Sequence, residues 1–141
     1  MLENVYNNMA KSYDHVYKDP EHIAEDRELF SYLNNKIHGT TLDIGSGTGL
    51  LLEEVEIHPL DYIGIDPSTE MINSSNAKFP DHTFFKTGFD EAVISEKIDS
   101  IVSLYGSFSY VNPKSYHKVV DALSDNGFAF LMVYAPDYSP H

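Results

Sequence analysis

The sequence predicts a layered α/β fold built on a mainly parallel sheet. Short segments rich in β-forming residues alternate with helical patterns through most of the chain, and several of these segments are apolar without alternation. Continuous apolar strands are typical of a parallel sheet that is covered on both faces. We therefore expect three layers, with right-handed crossovers between successive strands.

The first predicted element is a helix over residues 21–34. One face of this helix carries apolar residues at helical spacing, namely Ile23, Leu29, Phe30 and Leu33. Asp19 and Pro20 precede the helix and suit its first turn. A helix is therefore expected to lead into the glycine-rich segment that follows.

Five segments with high strand propensity follow this helix, and helical patterns lie between them. The predicted strands are TTLDI (40–44), DYIGID (61–66), HTFFK (82–86), DSIVSLY (99–105) and FAFLMVY (128–134). The helical patterns cover residues 48–56, 68–78 and 112–127. In the last helix we expect Asn112 to act as the cap, Val119 and Val120 to share one apolar stripe, and Asn126-Gly127 to end the helix.

Composition limits the classes of function. The 141 residues fit a single domain, residues 1–141. Nine basic residues face 22 acidic ones, a net charge of −13, so we expect no unaided binding to nucleic acid or to an anionic membrane. The chain has no cysteine, and its histidines show no metal-ligand spacing, so no metal is predicted. The N-terminal residues do not resemble a signal peptide, which favours a cytoplasmic location.

Residues 41–51, TLDIGSGTGLL, place three glycines at alternate positions directly after a predicted strand. Glycine permits positive φ and lets the backbone approach a ligand, so Gly45 and Gly47 are candidate ligand contacts. The dinucleotide fingerprint requires a third glycine at position 50, where this chain has Leu50, and no Lys-Ser/Thr pair completes a P-loop. The pattern therefore disfavours both a phosphate cradle and a nicotinamide-dependent oxidoreductase.

A second acidic residue indicates a nucleoside ligand. Asp66 ends the next predicted strand, 23 residues beyond Asp43 and close to a usual separation of about 20 residues. At this separation in doubly wound folds, an acidic side chain accepts hydrogen bonds from a ribose. The glycine loop and Asp66 together therefore predict a nucleoside at the carboxyl edge of the sheet.

The ordered combination of these motifs resembles a class I S-adenosylmethionine-dependent methyltransferase that acts on small molecules. The segments that carry the resemblance are LDIGSGTG (42–49), YIGIDPSTEMI (62–72), KTGFDEA (86–92) and KIDSIVSLYGSFSYV (97–111). In addition, YNNMAKSYDHVY (6–17) is similar to the helix that closes over the cofactor in such enzymes. The resemblance implies a Rossmann-like fold, S-adenosylmethionine as cofactor and a small-molecule methyl acceptor.

The resemblance also implies roles for the residues after the first two strands. Asp43, Gly45, Ser46 and Gly47 would line the methionine part of the cofactor. Asp66 would bind the ribose hydroxyls.

The remaining cofactor contacts follow from the same resemblance. The residues beside the adenine would be Pro67, Ser68 and Met71. Either Asp90 would reach the adenine amino group or Phe89 would contact the ring, because Phe89 intervenes in the usual Gly-Asp pair.

The acceptor side is implied in less detail. Tyr105 and Gly106 would lie near the sulfonium and the acceptor. Tyr13 would cover the cofactor, with Tyr6 and Tyr17 as further candidates, within an N-terminal lid and helices formed by residues 1–38. No general base is identified, because methyl transfer from a sulfonium depends mostly on alignment, and the catalytic role stays unassigned.

The length of the chain departs from that family pattern. Family members continue with two further strands and a helix after the segment that FAFLMVYAPDY (128–138) resembles, so we expect a sheet truncated after its fifth strand. The chain is then either a fragment or a short protein whose last strand is covered by another subunit, which would give a homo-oligomer. The alternative function is a non-catalytic nucleoside-binding module that pairs with a partner through this strand.

Overall fold

The computed structural model describes residues 20–133, with side chains described from Asp26 onward. The chain begins there with helix α1 (Pro20–Lys36), as the apolar periodicity predicts. Phe30 and Leu33 of this helix are buried in the core. The predictions for Tyr6, Tyr13 and Tyr17 lie outside the described residues.

Strands and helices then alternate along the chain. The strands are β1 (Thr41–Ile44), β2 (Tyr62–Asp66), β3 (Thr83–Lys86), β4 (Ile98–Ser103) and β5 (Leu123–Leu131). The helices after α1 are α2 (Leu50–Glu54), α3 (Thr69–Lys78) and α4 (His117–Ala122). Short 3₁₀ turns lie at Pro59–Asp61, Ser107–Tyr110 and Pro113–Ser115. None of the helices within residues 20–133 is long and apolar enough to cross a bilayer.

The five strands form one open sheet in the order β3-β2-β1-β4-β5, and every neighbouring pair is parallel. The predicted α/β class and parallel sheet are therefore confirmed. The strand order reverses direction between β1 and β4, and ligands of such sheets bind in the crevice at this switch point, beyond the carboxyl ends of the strands. The glycine loop follows β1 directly at that crevice.

Both faces of the sheet are covered, as continuous apolar strands require. Ile101 and Val102, adjacent in β4 and both fully buried, belong to different core clusters on opposite faces. One cluster contains Leu33 of α1 and Leu51 of α2, and the other contains Val119 of α4. The sheet therefore forms the middle of three layers.

The helix predicted over residues 112–127 is wrong in its second half. The Asn112 side chain accepts a hydrogen bond from the Lys114 amide at 3.0 Å and caps a 3₁₀ turn, but α4 ends at Ala122 and β5 begins at Leu123. Leu123 pairs with Ile98, and residues 128–131 pair with Ser100–Ser103, so residues 124–127 form an irregularity within β5. The helix therefore ends before the Asn-Gly signal, and regular pairing with β4 resumes directly after it. Val120, expected in the apolar stripe, is 73% exposed.

Candidate functional site

The loops after β1, β2, β3 and β4 meet at the carboxyl edge of the sheet and enclose a cavity of about 140 Å³. Gly45 and Pro67 come from the first two loops, residues 87–91 from the third, and Ser107 from the fourth. These loops are brought together because parallel strands end at the same edge. The cavity therefore lies where the sequence predicts a ligand.

The glycine loop is shaped by contacts with both neighbouring strands. Gly45 has φ of 69°, and the amides of Gly45 and Ser46 donate to the Ile65 carbonyl at 2.8 and 2.9 Å. A Cβ at Gly45 would overlap the Ser107 side chain. Glycine is therefore required at this position for its backbone conformation and for the close approach of the loop that follows β4.

Asp66 joins the loops that follow β1 and β2. Its Oδ2 accepts from the Gly47 amide at 3.0 Å, and its Oδ1 accepts from the Ser68 amide at 2.9 Å. Burial raises the pKa of this carboxyl to about 6, and the two backbone hydrogen bonds oppose that rise. A carboxylate has about four acceptor sites, so these two bonds leave capacity for further donors.

Asp43 is buried behind the glycine loop and is hydrogen-bonded to a residue of the next strand. The Tyr62 hydroxyl donates to Asp43 Oδ2 at 2.7 Å. Burial raises the pKa of Asp43 to about 7, the hydrogen bond from Tyr62 lowers it, and the nearby charge of Asp66 raises it further. Burial and the adjacent Asp43 raise the pKa of Tyr62 well above its ordinary value. The sheet thus holds two carboxyls whose ionisation falls close to neutral pH.

Tyr62 was missed by the sequence reasoning, which assigned no role to the first residue of β2. The signal that could have found it is Gly64, two positions later on the same face of the strand and opposite Asp43 in the sheet register. A glycine at that point leaves room for a long side chain to lie across it toward β1.

Ser46 is buried beside Tyr62 within the loop. Its hydroxyl makes no well-formed hydrogen bond within the described part of the chain, but its interaction with Tyr62 lowers the pKa of that phenol against the larger effect of burial. Ser46 therefore lies next to the buried Tyr62–Asp43 pair.

The residues predicted beside the adenine occupy two different environments. Pro67 lines the cavity, whereas Ser68 and Met71 are buried. The Ser68 side chain accepts from the Met71 amide at 3.2 Å and caps α3. The structure thus places Pro67 at the cavity wall and the other two beneath it.

Phe89 and Asp90 both lie along the cavity in the turn that follows β3. The Phe89 side chain is only 3% exposed, and its ring centroid lies 5.9 Å from that of Phe108. Asp90 is exposed, and its carboxylate accepts from the Asn112 amide at 3.1 and 3.3 Å. The Phe89 ring therefore packs mainly in the core, and Asp90 presents the charged group of this turn.

The Lys118 side chain of α4 binds the backbone of the same turn. Its Nζ donates to the carbonyl oxygens of Phe89 and Ala92, at 2.6 Å in both cases, and lies 4.7 Å from the centroid of the Phe89 ring. The third wall of the cavity therefore depends on a helix that follows β4 in the chain.

Tyr105 has an unusual backbone conformation at the end of β4. Its φ is 53°, the left-handed region that bulky residues rarely adopt. Its hydroxyl donates to Asp26 Oδ1 of α1 at 2.7 Å, and Tyr105 does not line the 140 Å³ cavity. The structure therefore places this predicted acceptor-side residue between β4 and α1. Tyr13, which is predicted to cover the cofactor, lies outside the described residues.

An open parallel sheet with a glycine loop after its first strand and a buried acid after its second defines a Rossmann-like, nucleoside-binding class of α/β protein. Within that class, the chain belongs to the methyltransferase domain family. The sequence model of this family matches residues 14–141. The family match and the fold confirm the predicted class I methyltransferase.

The chain spans between 54% and 65% of the length of three similar proteins. An uncharacterized methyltransferase from Alkaliphilus oremlandii is 30% identical over 122 residues, which cover 85% of this chain and 56% of that protein. The structure of a DhpI-SAH complex is similar with a TM-score of 0.72 at 19% identity, over 91% of this chain and 65% of that one. The sugar N-methyltransferase KedS8 from Streptoalloteichus has a TM-score of 0.65 at 20% identity, over 91% and 54% of the two chains.

Proposed function

We propose that this chain is the S-adenosylmethionine-binding core of a methyltransferase that acts on a small-molecule acceptor. The observation that carries the proposal is the polar cradle that the buried carboxyls of Asp43 and Asp66 form at the glycine loop. The cofactor offers an ammonium, ribose hydroxyls and a sulfonium, and carboxylates suit all three. The residues present therefore fit this cofactor.

Each part of the cradle has a separate task in this proposal. Asp66 accepts the ribose hydroxyls with the acceptor capacity that the Gly47 and Ser68 amides leave free. Asp43, in its ionised form, attracts the ammonium end. Pro67 and residues 87–91 form the walls around the base.

When bound, S-adenosylmethionine supplies an electrophilic methyl group on a cationic sulfur. The chain then has to align this group with the acceptor and exclude water. No residue is assigned as a general base. The loops that follow β1 and β4 approach each other closely at Gly45 and Ser107, where a side chain at position 45 would not fit, and we propose that this close approach serves alignment.

The acceptor class rests on charge and on one similar protein. A net charge of −13 disfavours RNA and DNA substrates, and the structurally similar KedS8 is a sugar N-methyltransferase. A non-catalytic nucleoside-binding module is the rival hypothesis, and turnover separates the two. The cytoplasmic location stays a prediction.

A calorimetric titration with S-adenosylhomocysteine, the product form of the cofactor, tests binding. We expect saturable binding to the wild type and at least a tenfold weaker Kd for Asp66→Ala, because a charged hydrogen-bond acceptor is lost. Asp81→Ala, which removes an exposed acid before β3, is the matched control and should leave the Kd unchanged. Thermal unfolding of each variant separates lost binding from lost folding.

Three results would argue against the proposal. A folded wild type that does not bind S-adenosylhomocysteine overturns it, and tight NADH binding in its place supports an oxidoreductase. Incubation with methyl-labelled cofactor and cell extract then tests the acceptor. Label should appear in the small-molecule filtrate, whereas label confined to RNA or protein would contradict the acceptor class, and binding without any transfer favours the non-catalytic module.

We also propose that β5 pairs with a second copy of the chain. Among the strands of residues 20–133 it is outermost in the sheet order, and it adjoins an apolar groove of about 620 Å³ whose lining includes Tyr116, Val120, Leu131 and Val133. A strand edge beside an apolar groove is a natural pairing surface.

A further inference from the structure

Tyr62 is aimed at Asp43 by the packing of its ring. The side chain is 1% exposed, and its ring makes edge contacts with His82 and Phe84, each with a centroid distance of 5.5 Å. His82 is itself held in place, since its Nε2 lies 2.8 Å from the Ile57 carbonyl oxygen. The 2.7 Å hydrogen bond from the Tyr62 hydroxyl to Asp43 Oδ2 is therefore formed by a group with little freedom to turn away.

Gly64 provides the space that this hydroxyl occupies. A Cβ at position 64 would lie 2.7 Å from Tyr62 Oη, 2.8 Å from Phe84 Cδ1 and 3.0 Å from Ser46 Cβ. Gly64 is not among the glycines with positive φ, so the backbone does not require glycine there. The missing side chain instead serves the path of Tyr62 from β2 to Asp43 on β1.

We propose that Tyr62 is a positioning residue, whose hydroxyl orients the Asp43 carboxylate and stabilises its charge so that it receives the ammonium end of the cofactor. This inference rests on the proposed function. Beside Tyr62, Asp66 is the ionisable group whose charge acts on Asp43, and it opposes ionisation. Tyr62 is thus the neighbour that favours the charged form of Asp43. Its hydroxyl shifts the balance between the protonated and ionised forms of that carboxyl.

The proposal predicts a selective loss of affinity in Tyr62→Phe, which keeps the ring and removes the hydroxyl. We expect the Kd for S-adenosylhomocysteine at pH 7 to rise about tenfold, the effect of losing a hydrogen bond to a charged group. The Kd for 5′-methylthioadenosine, which has the base and ribose but no amino-acid part, should change less than about twofold. A purely structural role would weaken both ligands alike.

The pH profile gives a second readout. The affinity for S-adenosylhomocysteine should increase as Asp43 ionises, and the hydrogen bond from Tyr62 lowers the pKa of that carboxyl. Tyr62→Phe should therefore move the midpoint of this profile to higher pH. Tyr32→Phe, a half-exposed tyrosine of α1, is the matched control and should leave the ligand ratio and the midpoint unchanged.

Gly64→Ala tests the same contact without removing the hydroxyl, because the added Cβ would lie 2.7 Å from Tyr62 Oη and force the Tyr62 side chain, together with Phe84 and Ser46, to shift. It should reproduce the selective loss, and it decides the question if Tyr62→Phe does not fold. The inference is overturned if the variants leave the ratio of the two Kd values and the midpoint of the pH profile unchanged, or if they weaken both ligands equally. In either case, binding of S-adenosylhomocysteine to the wild type still supports the proposed function. A folded wild type that does not bind S-adenosylhomocysteine overturns both.

Discussion

Asp43 and Asp66 are two acids that the fold removes from water beside the glycine loop, and burial raises the pKa of these carboxyls to about 7 and about 6. An acid whose pKa is raised by folding binds its proton more tightly in the folded state. The stability that this proton confers is present at low pH and is lost as the pH rises through the folded pKa. The cradle that suits a cationic ligand therefore weakens the ligand-free protein at neutral pH.

Asp43→Asn tests this coupling, because the amide is isosteric and does not ionise. We expect the variant to be more stable than the wild type at pH 8, with the advantage shrinking by ~1.4 kcal/mol per pH unit from about pH 7 toward pH 4. Urea unfolding of both proteins across this range measures the difference. Asp81→Asn, at an exposed position, should show no such dependence, and a constant difference for Asp43→Asn would contradict the expectation.

Spacing in the sequence predicted part of this chemistry. Asp66 and Gly45 were found because their positions after successive strands are set by local pattern, and the structure places both at the carboxyl edge. The roles given to individual residues toward the cofactor stay predictions. Tyr62 could not be found in the same way, since its contact with Asp43 depends on the register of two strands and on the missing side chain of Gly64.

At the scale of elements, sequence patterns located each strand and helix but placed the boundary between α4 and β5 incorrectly. Residues 123–127 have a helical pattern and end in Asn-Gly, yet Leu123 already pairs with Ile98 of β4 and residues 124–127 form an irregularity at the start of β5. Local propensity is a weak guide where a neighbouring strand offers backbone hydrogen bonds. The same limit applies to the turn after β3, whose Phe89 and Ala92 carbonyl oxygens accept hydrogen bonds from Lys118 of α4.

Lys118→Met tests whether α4 holds that turn. The substitution keeps an aliphatic side chain and removes the ammonium that bonds the Phe89 and Ala92 carbonyl oxygens. The Ala92 amide, which donates to Gly88 within the turn at 3.1 Å, should exchange with deuterium at least about tenfold faster. Lys114→Met, at an exposed site preceding α4, is the control. An unchanged exchange rate of the Ala92 amide in Lys118→Met would show that the turn is stable without the bonds from Lys118.

At the scale of the whole molecule, the sheet in the described part of the chain has two edge strands. β3 lies at one edge and β5 at the other. One groove adjoins β5, and a second runs across the sheet face from β1 to β3 beside residues 91–96. The groove beside β5 is lined by Val120, which is 73% exposed, whereas the groove below β3 is lined by Val93, which is 91% exposed. The two valines therefore offer a matched pair of probes for the two surfaces.

Pairing through β5 predicts that the chain is a dimer in solution, with twice the mass of 15.9 kDa in light scattering after size exclusion. Val120→Asp places a charge in the groove beside β5 and should give a monomer, whereas Val93→Asp should stay dimeric. Because each chain carries a net charge of −13, the dimer should tighten as salt screens the repulsion between copies. A monomeric wild type at all salt concentrations contradicts the pairing, and a dimer that only Val93→Asp disrupts would place the interface at the β3 edge instead.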